Sequence, residues 1–143
     1  MRFSGTLYKD GKFWLAEIPI LDLMPQGRTK KEAYKMVADM LESLVNKKDF
    51  KVNVYIGEKD TFEVGSPEPK HMVSLLLQRK RELSGLSLAQ VANKLGMKSR
   101  NTYARYEQGH SVPSVEKLNE LLNAVSPRRD IVITESTIPL GDR

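Results

Sequence analysis

The sequence of 143 residues contains no cysteine, only two histidines and no long run of apolar side chains. Without cysteine, the chain can form neither a disulfide nor a thiolate zinc site. His71 and His110 have no partner at metal-ligand spacing, so we expect no metal site. The short apolar runs exclude a transmembrane helix, and the N-terminus lacks the apolar core of a signal peptide. We therefore expect a cytoplasmic protein without membrane association.

Patterns that would indicate catalysis are also missing, since the sequence has no glycine-rich phosphate loop and no nucleophile–base pattern. The acidic residues near the first predicted strands are Asp10, Glu17 and Asp22. We interpret them as a turn residue, a solvent-facing strand residue and a loop residue, whereas a two-metal nuclease needs several convergent carboxylates. We predict that the protein is not an enzyme and uses no cofactor.

Positive charge is unevenly distributed along the chain, whose net charge is +5. Residues 1–66 carry eleven Lys or Arg against ten Asp or Glu, whereas residues 70–109 carry eight against two, a net of +6. A local positive field favours binding to a polyanion. A solvated basic surface is the alternative interpretation of charge alone.

The N-terminal part of the sequence predicts a β-hairpin. Residues 3–8 and 13–18 are rich in β-branched and aromatic side chains, and the dipeptide Asp10-Gly11 lies between them. Asp-Gly supplies the positive φ angles of a type I′ turn, the commonest tight hairpin connection.

A helix and further strands follow the hairpin. Thr29 and Glu32 have the spacing of a capping box, and apolar residues then recur at helical intervals. Residues 51–56 alternate as a strand does, and residues 61–64 are a further candidate strand. The order β-β-(β)-α-β predicts an α+β fold in which the helix packs on a small antiparallel sheet.

Two prolines between Ser66 and Lys70 predict an extended linker, which divides the chain. We assign residues 1–66 to a first domain, 67–71 to the linker, 72–126 to a second domain, and 127–143 to a C-terminal tail in which Asp130–Glu135 has β-strand character.

The second domain has the periodicity of four short helices, predicted at residues 72–83, 87–95, 99–108 and 114–125. Ser87 and Gln90 form a capping box, and Gly96 suits the left-handed position that ends a helix. A capped helix, a short turn and a second helix make a helix-turn-helix, whose second helix enters the DNA major groove.

The third predicted helix carries side chains suited to reading DNA. Arginine offers a fork that matches guanine, asparagine can do the same for adenine, and hydroxyls reach phosphates or bases. We expect Tyr103 and Tyr106 to pack inward. The candidate DNA-binding residues are Lys98, Ser99, Arg100, Asn101, Thr102 and Arg105.

The stretch SLAQVANKLGMKSRNTYARYEQG, followed by PSVEKLNELL, resembles the Cro/repressor-type (XRE) helix-turn-helix family. Its carriers include Leu86 to Gly96 and Ser99 to Gly109, although the turn after Gly96 is one residue longer than usual. The resemblance implies binding to double-stranded operator DNA and a structural ion pair between Arg81 and Glu107. Half-sites about one helical turn apart favour a homodimer or a higher even-numbered oligomer.

Residues 11–19 and 26–33 (GKFWLAEIP and QGRTKKEA) resemble the HicB antitoxin domain, although Leu23-Met24-Pro25 replaces its usual Pro-Gly-Cys. The resemblance implies a partial ribonuclease H-like fold that neutralises a HicA-like ribonuclease toxin, within an antitoxin that represses its own operon. Phe13 and Trp14 are candidate toxin-binding residues, since exposed aromatics often anchor interfaces; core packing is the alternative. The alternative function is a stand-alone repressor whose first domain senses a ligand or oligomerises.

Overall fold

The computed structural model describes residues 1–140, which form two compact units. The sheet unit consists of residues 1–68 together with 134–140, and the helical unit of residues 69–133.

The sheet unit is a five-stranded antiparallel sheet with one long helix, α1 (Lys30–Val45). The sheet order is β3-β2-β1-β5-β4, and each neighbouring pair is antiparallel. The strands are β1 (Arg2–Asp10), β2 (Phe13–Glu17), β3 (Gln26–Gly27), β4 (Asn53–Ile56) and β5 (Thr61–Gly65), with a 3-10 turn at Pro19–Leu21. The α+β architecture predicted for the first domain is therefore correct.

The predicted hairpin forms, but its turn is of a different type. Asp10 pairs with Phe13, so the two turn residues are Gly11 and Lys12 rather than Asp10 and Gly11. Gly11 has φ +59°, whereas Lys12 is not among the residues with positive φ. A positive φ at the first turn position alone is the pattern of a type II′ turn, which demands glycine there.

The core of the sheet unit lies between α1 and one face of the sheet. Phe3 and Leu7 of β1 are buried toward the helix, while the alternate residues Ser4, Thr6 and Tyr8 are exposed. On α1, Ala33, Val37 and Leu41 are fully buried. The Phe62 ring of β5 meets Tyr34 edge-on at 5.6 Å between centroids. The opposite face of the sheet therefore carries most of its polar and exposed side chains.

The helical unit contains α2 (Pro69–Leu83), α3 (Leu88–Lys94), α4 (Arg100–Glu107) and α5 (Val115–Val125). Helix α2 begins earlier than predicted, so residues 69–71 of the assigned linker are its first turn. Proline suits that turn because its missing N–H has no helical acceptor there. His71, expected in the linker, is instead 8% exposed within the helix.

The tail does not form the predicted strand within the described residues. Asp130–Glu135 is assigned neither helix nor strand, and it is exposed throughout. Beyond it, Arg2 Nη1 donates to the carbonyl oxygen of Ile138 at 2.9 Å and to Ser136 Oγ at 3.1 Å. Ser136 and Ile138 therefore contact β1, and the tail from Thr134 belongs to the sheet unit.

Candidate nucleic-acid interface

Helix α3 starts where the capping box predicts. The Ser87 side chain accepts a hydrogen bond from the Gln90 N–H at 3.1 Å, and the Gln90 Oε1 accepts from the Ser87 N–H at 2.8 Å. Two N–H groups that the helix leaves without acceptors are satisfied in this reciprocal way. The start of the helix-turn-helix is thus determined by local side chains.

The turn between α3 and α4 depends on Gly96, which has φ +70°. The Met97 N–H donates to the Ala92 carbonyl at 2.9 Å, and the Gly96 N–H donates to the Asn93 carbonyl at 3.1 Å. This pair of bonds is a Schellman motif, which needs a left-handed residue where glycine alone is unstrained. The motif ends α3 and redirects the chain into α4.

Helix α4 begins at Arg100, because Ser99 is its N-cap. The Ser99 Oγ accepts from the Asn101 N–H at 3.0 Å. Lys98 therefore lies in the turn before the cap, and Arg100 is the first helical residue. All three residues are exposed at the start of α4.

The inward side of α4 is formed by Tyr103, Ala104 and Glu107. Tyr103 is fully buried, whereas Tyr106 is only half-buried, which corrects the expectation that both tyrosines pack inward. Three residues advance a helix by about 300°, so Tyr106 lies about 60° from Tyr103 around the axis. That rotation brings its ring to the edge of the buried stripe.

The outward side of α4 presents polar side chains: Asn101, Thr102, Arg105 and Gln108 are all exposed. Sequence analysis missed Gln108, although its spacing of three from Arg105 and seven from Asn101 places it on the same side. Arg100 is exposed too, but it shares a side with Ala104 and Glu107 at i+4 and i+7. Its exposure comes from its position at the start of the helix.

The side chain of Arg105 is only weakly restrained by a hydrogen bond. Its Nε donates to Ser111 Oγ at 3.4 Å, a long hydrogen bond that constrains the side chain little. By contrast, Lys94 Nζ donates to the Ala124 carbonyl at 2.8 Å. The charge of Lys94 thus serves the C-terminal end of α5, whereas the guanidinium of Arg105 remains directed to solvent.

The structure brings Arg81 of α2 and Glu107 of α4 together as a bidentate pair. Arg81 Nε donates to Glu107 Oε2 at 2.8 Å, and Nη2 donates to Oε1 at 3.0 Å. The remaining amino group, Nη1, donates to the Leu86 carbonyl at 3.0 Å. The hydrogen bond to Glu107 raises the pKa of Arg81, and the two side chains are only 17% and 7% exposed. The pair therefore fixes α4 against α2.

The hydroxyl of Tyr103 is buried near this carboxylate. Among residues 1–140, no atom lies in hydrogen-bond geometry with this hydroxyl. The Glu107 carboxylate therefore acts on it through its negative charge. Burial, and then the negative charge of Glu107, raise the pKa of Tyr103 well above its usual value. Tyr103 is thus kept neutral in the folded unit.

The two aromatic candidates lie at the hairpin of the sheet unit. Phe13 is 36% exposed, and Trp14 is half-buried. Lys30 Nζ lies 4.7 Å from the centroid of the Trp14 ring and Lys9 Nζ lies 5.9 Å from it. Both distances are within the range of a cation–π interaction. Phe13 is therefore the freer of the two side chains.

Other kinds of site were sought in the same way. Across residues 1–140, no three His, Asp or Glu side chains come close enough together to hold a metal ion, and this includes Asp10, Glu17 and Asp22. In the same range, no helix has both the length and the apolarity required to span a bilayer.

Comparison with known families agrees with the geometry of α3 and α4. A family model described as Helix-turn-helix matches residues 77–125, about a third of the chain. No curated protein matches the sequence significantly. Over residues 77–125 the helical unit is therefore similar to helix-turn-helix domains of the Cro/repressor type.

Proposed function

We propose that the chain is a transcriptional repressor that reads operator DNA with α4. One observation carries this proposal: the outward side of α4 presents Asn101 and Arg105, while Tyr103 and the Arg81–Glu107 pair fix its inward side. A rigid helix with exposed amide and guanidinium groups suits the major groove. In this proposal the repressor is located in the cytoplasm, together with the DNA that it binds.

The candidate residues divide into two roles by their place on the helix. Asn101 and Arg105 lie four residues apart on the outward side, where a helix in the groove meets base edges, so we assign them to base reading. Lys98, Ser99, Arg100 and Thr102 cluster at the N-terminal end of α4. That end favours phosphate because its N–H groups and dipole attract anions.

We further propose that the protein is a HicB-type antitoxin and represses its own operon. The support is the resemblance of residues 11–19 and 26–33, together with a sheet that leaves one face uncovered beside the hairpin. In this proposal, the sheet unit binds a HicA-like ribonuclease toxin and prevents it from cleaving mRNA. Phe13 is the first candidate anchor because it is more exposed than Trp14. The protein itself performs no catalysis.

The repressor is proposed to act as a homodimer, or as a higher even-numbered oligomer. One α4 helix reads only a few base pairs, and two half-sites one helical turn apart need a twofold protein. The same assembly would let toxin occupancy and operator binding influence each other.

DNA reading is tested with the promoter region upstream of the protein's own gene. Arg105→Ala should lose about 1–3 kcal/mol of binding free energy and relax the preference at one base position. Arg128→Ala is the matched control, because Arg128 is exposed outside the helix-turn-helix. Equal weakening on all sequences would instead make Arg105 a phosphate contact, and no binding by the wild-type chain would refute the repressor.

The antitoxin role is tested by co-expression with a neighbouring short open reading frame. The small protein alone should arrest growth, and the two chains together should restore growth and purify as one complex. Phe13→Ala should weaken that complex, while Lys59→Ala, on an exposed turn, should not. If the neighbour is harmless and does not co-purify, the alternative remains: a stand-alone repressor whose sheet unit senses a ligand or oligomerises.

A further inference from the structure

Asp130–Glu135 leaves three consecutive β-branched apolar side chains in water. Ile131, Val132 and Ile133 are 40%, 80% and 90% exposed. No backbone hydrogen bond joins this segment to another part of the described chain, and it has neither helix nor strand structure. A run of this composition favours strands, and an extended segment with unpaired N–H and C=O groups is a template for β-pairing.

The charges that flank the apolar run are arranged so that the segment complements itself. Arg129 lies three residues before Val132, and Glu135 lies three residues after it. When two copies run antiparallel with Val132 opposite Val132, Arg129 of each copy lies opposite Glu135 of the other. Ile131 then lies opposite Ile133, which places an apolar centre between two ion pairs on the same face.

We propose that Asp130–Glu135 forms an antiparallel strand pair with the same segment of a second copy, about a twofold axis at Val132. The interface is isologous, so the Arg129–Glu135 and Ile131–Ile133 pairs each occur twice. Other registers of the same segment lose this match. Centring on Ile131 places Arg129 opposite Ile133, and centring on Ile133 places Glu135 opposite Ile131.

This pairing supplies the twofold symmetry that two operator half-sites require, and its role in DNA binding rests on the proposed repressor function. The pairing itself does not depend on that function. Segment 130–135 follows the end of α5 by only a few residues, so the strand pair joins two copies of the helix-turn-helix domain through short connections.

Two single charge reversals in the full-length chain test the register. Arg129→Glu leaves two glutamates opposite each other, and Glu135→Arg leaves two arginines, at both ends of the strand pair. Each variant should self-associate about 10- to 100-fold more weakly than the wild type in analytical ultracentrifugation. An equimolar mixture of the two variants should recover wild-type affinity, because each glutamate then faces an arginine.

Arg128→Glu is the control, since it makes the same charge change but lies opposite Ser136 in the proposed register. It should leave self-association unchanged. The proposal is overturned if the wild type is monomeric, if the reversals leave its association unaltered, or if the mixture is no tighter than either variant alone. Operator binding is measured separately. If the wild-type chain self-associates but does not bind operator DNA, the repressor function is refuted and the strand pairing is not.

Discussion

Each of the two units holds an arginine–carboxylate pair that is largely shielded from water, and the two arginines make different sets of contacts. In the helical unit, Arg81 grips Glu107 with two donors and caps the Leu86 carbonyl with a third. In the sheet unit, Arg2 Nη1 donates to Glu63 at 2.8 Å, and the same side chain stacks 3.5 Å above the Tyr55 ring and reaches Ser136 and Ile138.

The difference lies in what each pair holds together. A backbone ladder already joins β1 to β5, so Arg2 adds little to the sheet itself and mainly holds the returning tail. Helices α2 and α4 have no such ladder between them, and their relative position depends on side chains. We therefore expect the helical unit, whose paired helices share no backbone hydrogen bonds, to lose more unfolding free energy than the sheet unit when its ion pair is broken.

The largest effect is predicted for Glu107→Ala. It leaves the Arg81 guanidinium buried without its carboxylate, so the helical unit should lose about 3–5 kcal/mol of unfolding free energy. Thermal and urea melts of the full chain measure this loss. Glu82→Ala is the control, because Glu82 belongs to an exposed pair on α2 and should cost at most about 1 kcal/mol. An unchanged melt for Glu107→Ala would contradict a structural role.

A smaller effect is predicted for Arg2→Ala in the sheet unit. Its charged hydrogen bonds should contribute about 1.5–3 kcal/mol, and the tail from Ser136 should become susceptible to limited proteolysis. Lys30→Ala, which breaks a half-exposed pair with Asp60, should leave the tail protected. If the tail of Arg2→Ala stays protected, other contacts hold it, and the contrast between the two arginines is wrong.

Gly109→Ala should cost about 1–2 kcal/mol in the helical unit, because Gly109 has φ +72° and ends α4. An added Cβ would also lie 3.0 Å from His71 Nδ1. Gly85→Ala is matched, since Gly85 has φ +69° but nothing within 4 Å of the added atom. The difference between the two variants in urea melts isolates the contact with His71, and equal losses would show that it costs nothing.

The smallest effect at neutral pH is predicted for Tyr103→Phe, which should change stability by at most about 1 kcal/mol. Above pH 10 the two proteins should diverge. The folded wild type keeps the Tyr103 proton, whereas the unfolded chain releases it near the ordinary pKa of 10.0, so rising pH favours unfolding. Tyr103→Phe should avoid this loss of unfolding free energy, which amounts to at most about 1.4 kcal/mol per pH unit. Parallel pH profiles would show that burial does not hold the proton.

Local patterns predicted much of the helix-turn-helix. Ser87 with Gln90 and Gly96 each act through bonds to residues no more than five positions away, so short stretches of sequence contain both partners. The same reasoning placed Ser99 inside the helix rather than at its cap, and it missed Gln108. The exposure of Gln108 follows from its spacing of three residues from Arg105 along the helix.

Predictions failed where the deciding contact is distant or where two local signals compete. Asp10-Gly11 indicated the turn, but the pairing of Asp10 with Phe13 moved it by one residue and changed its type. The prolines indicated a linker, yet Pro69 begins a helix that is buried from His71 to Leu77. A proline is compatible with an extended linker and with the first turn of a helix. Only the burial of His71 and the residues after it distinguishes the helix from the linker.

The sequence by itself determined the caps, the four helices, the hairpin and the basic, arginine-bearing face of α4, because each depends on residues close together along the chain. The tertiary structure alone decided where the tail packs against the sheet unit. Arg2 and Ile138 are 136 positions apart, and the bond between them forms only after the sheet has placed Arg2 beside Glu63 and Tyr55. Strand propensity in Asp130–Glu135 was real, but a strand needs a neighbour, and within the described chain that segment has none.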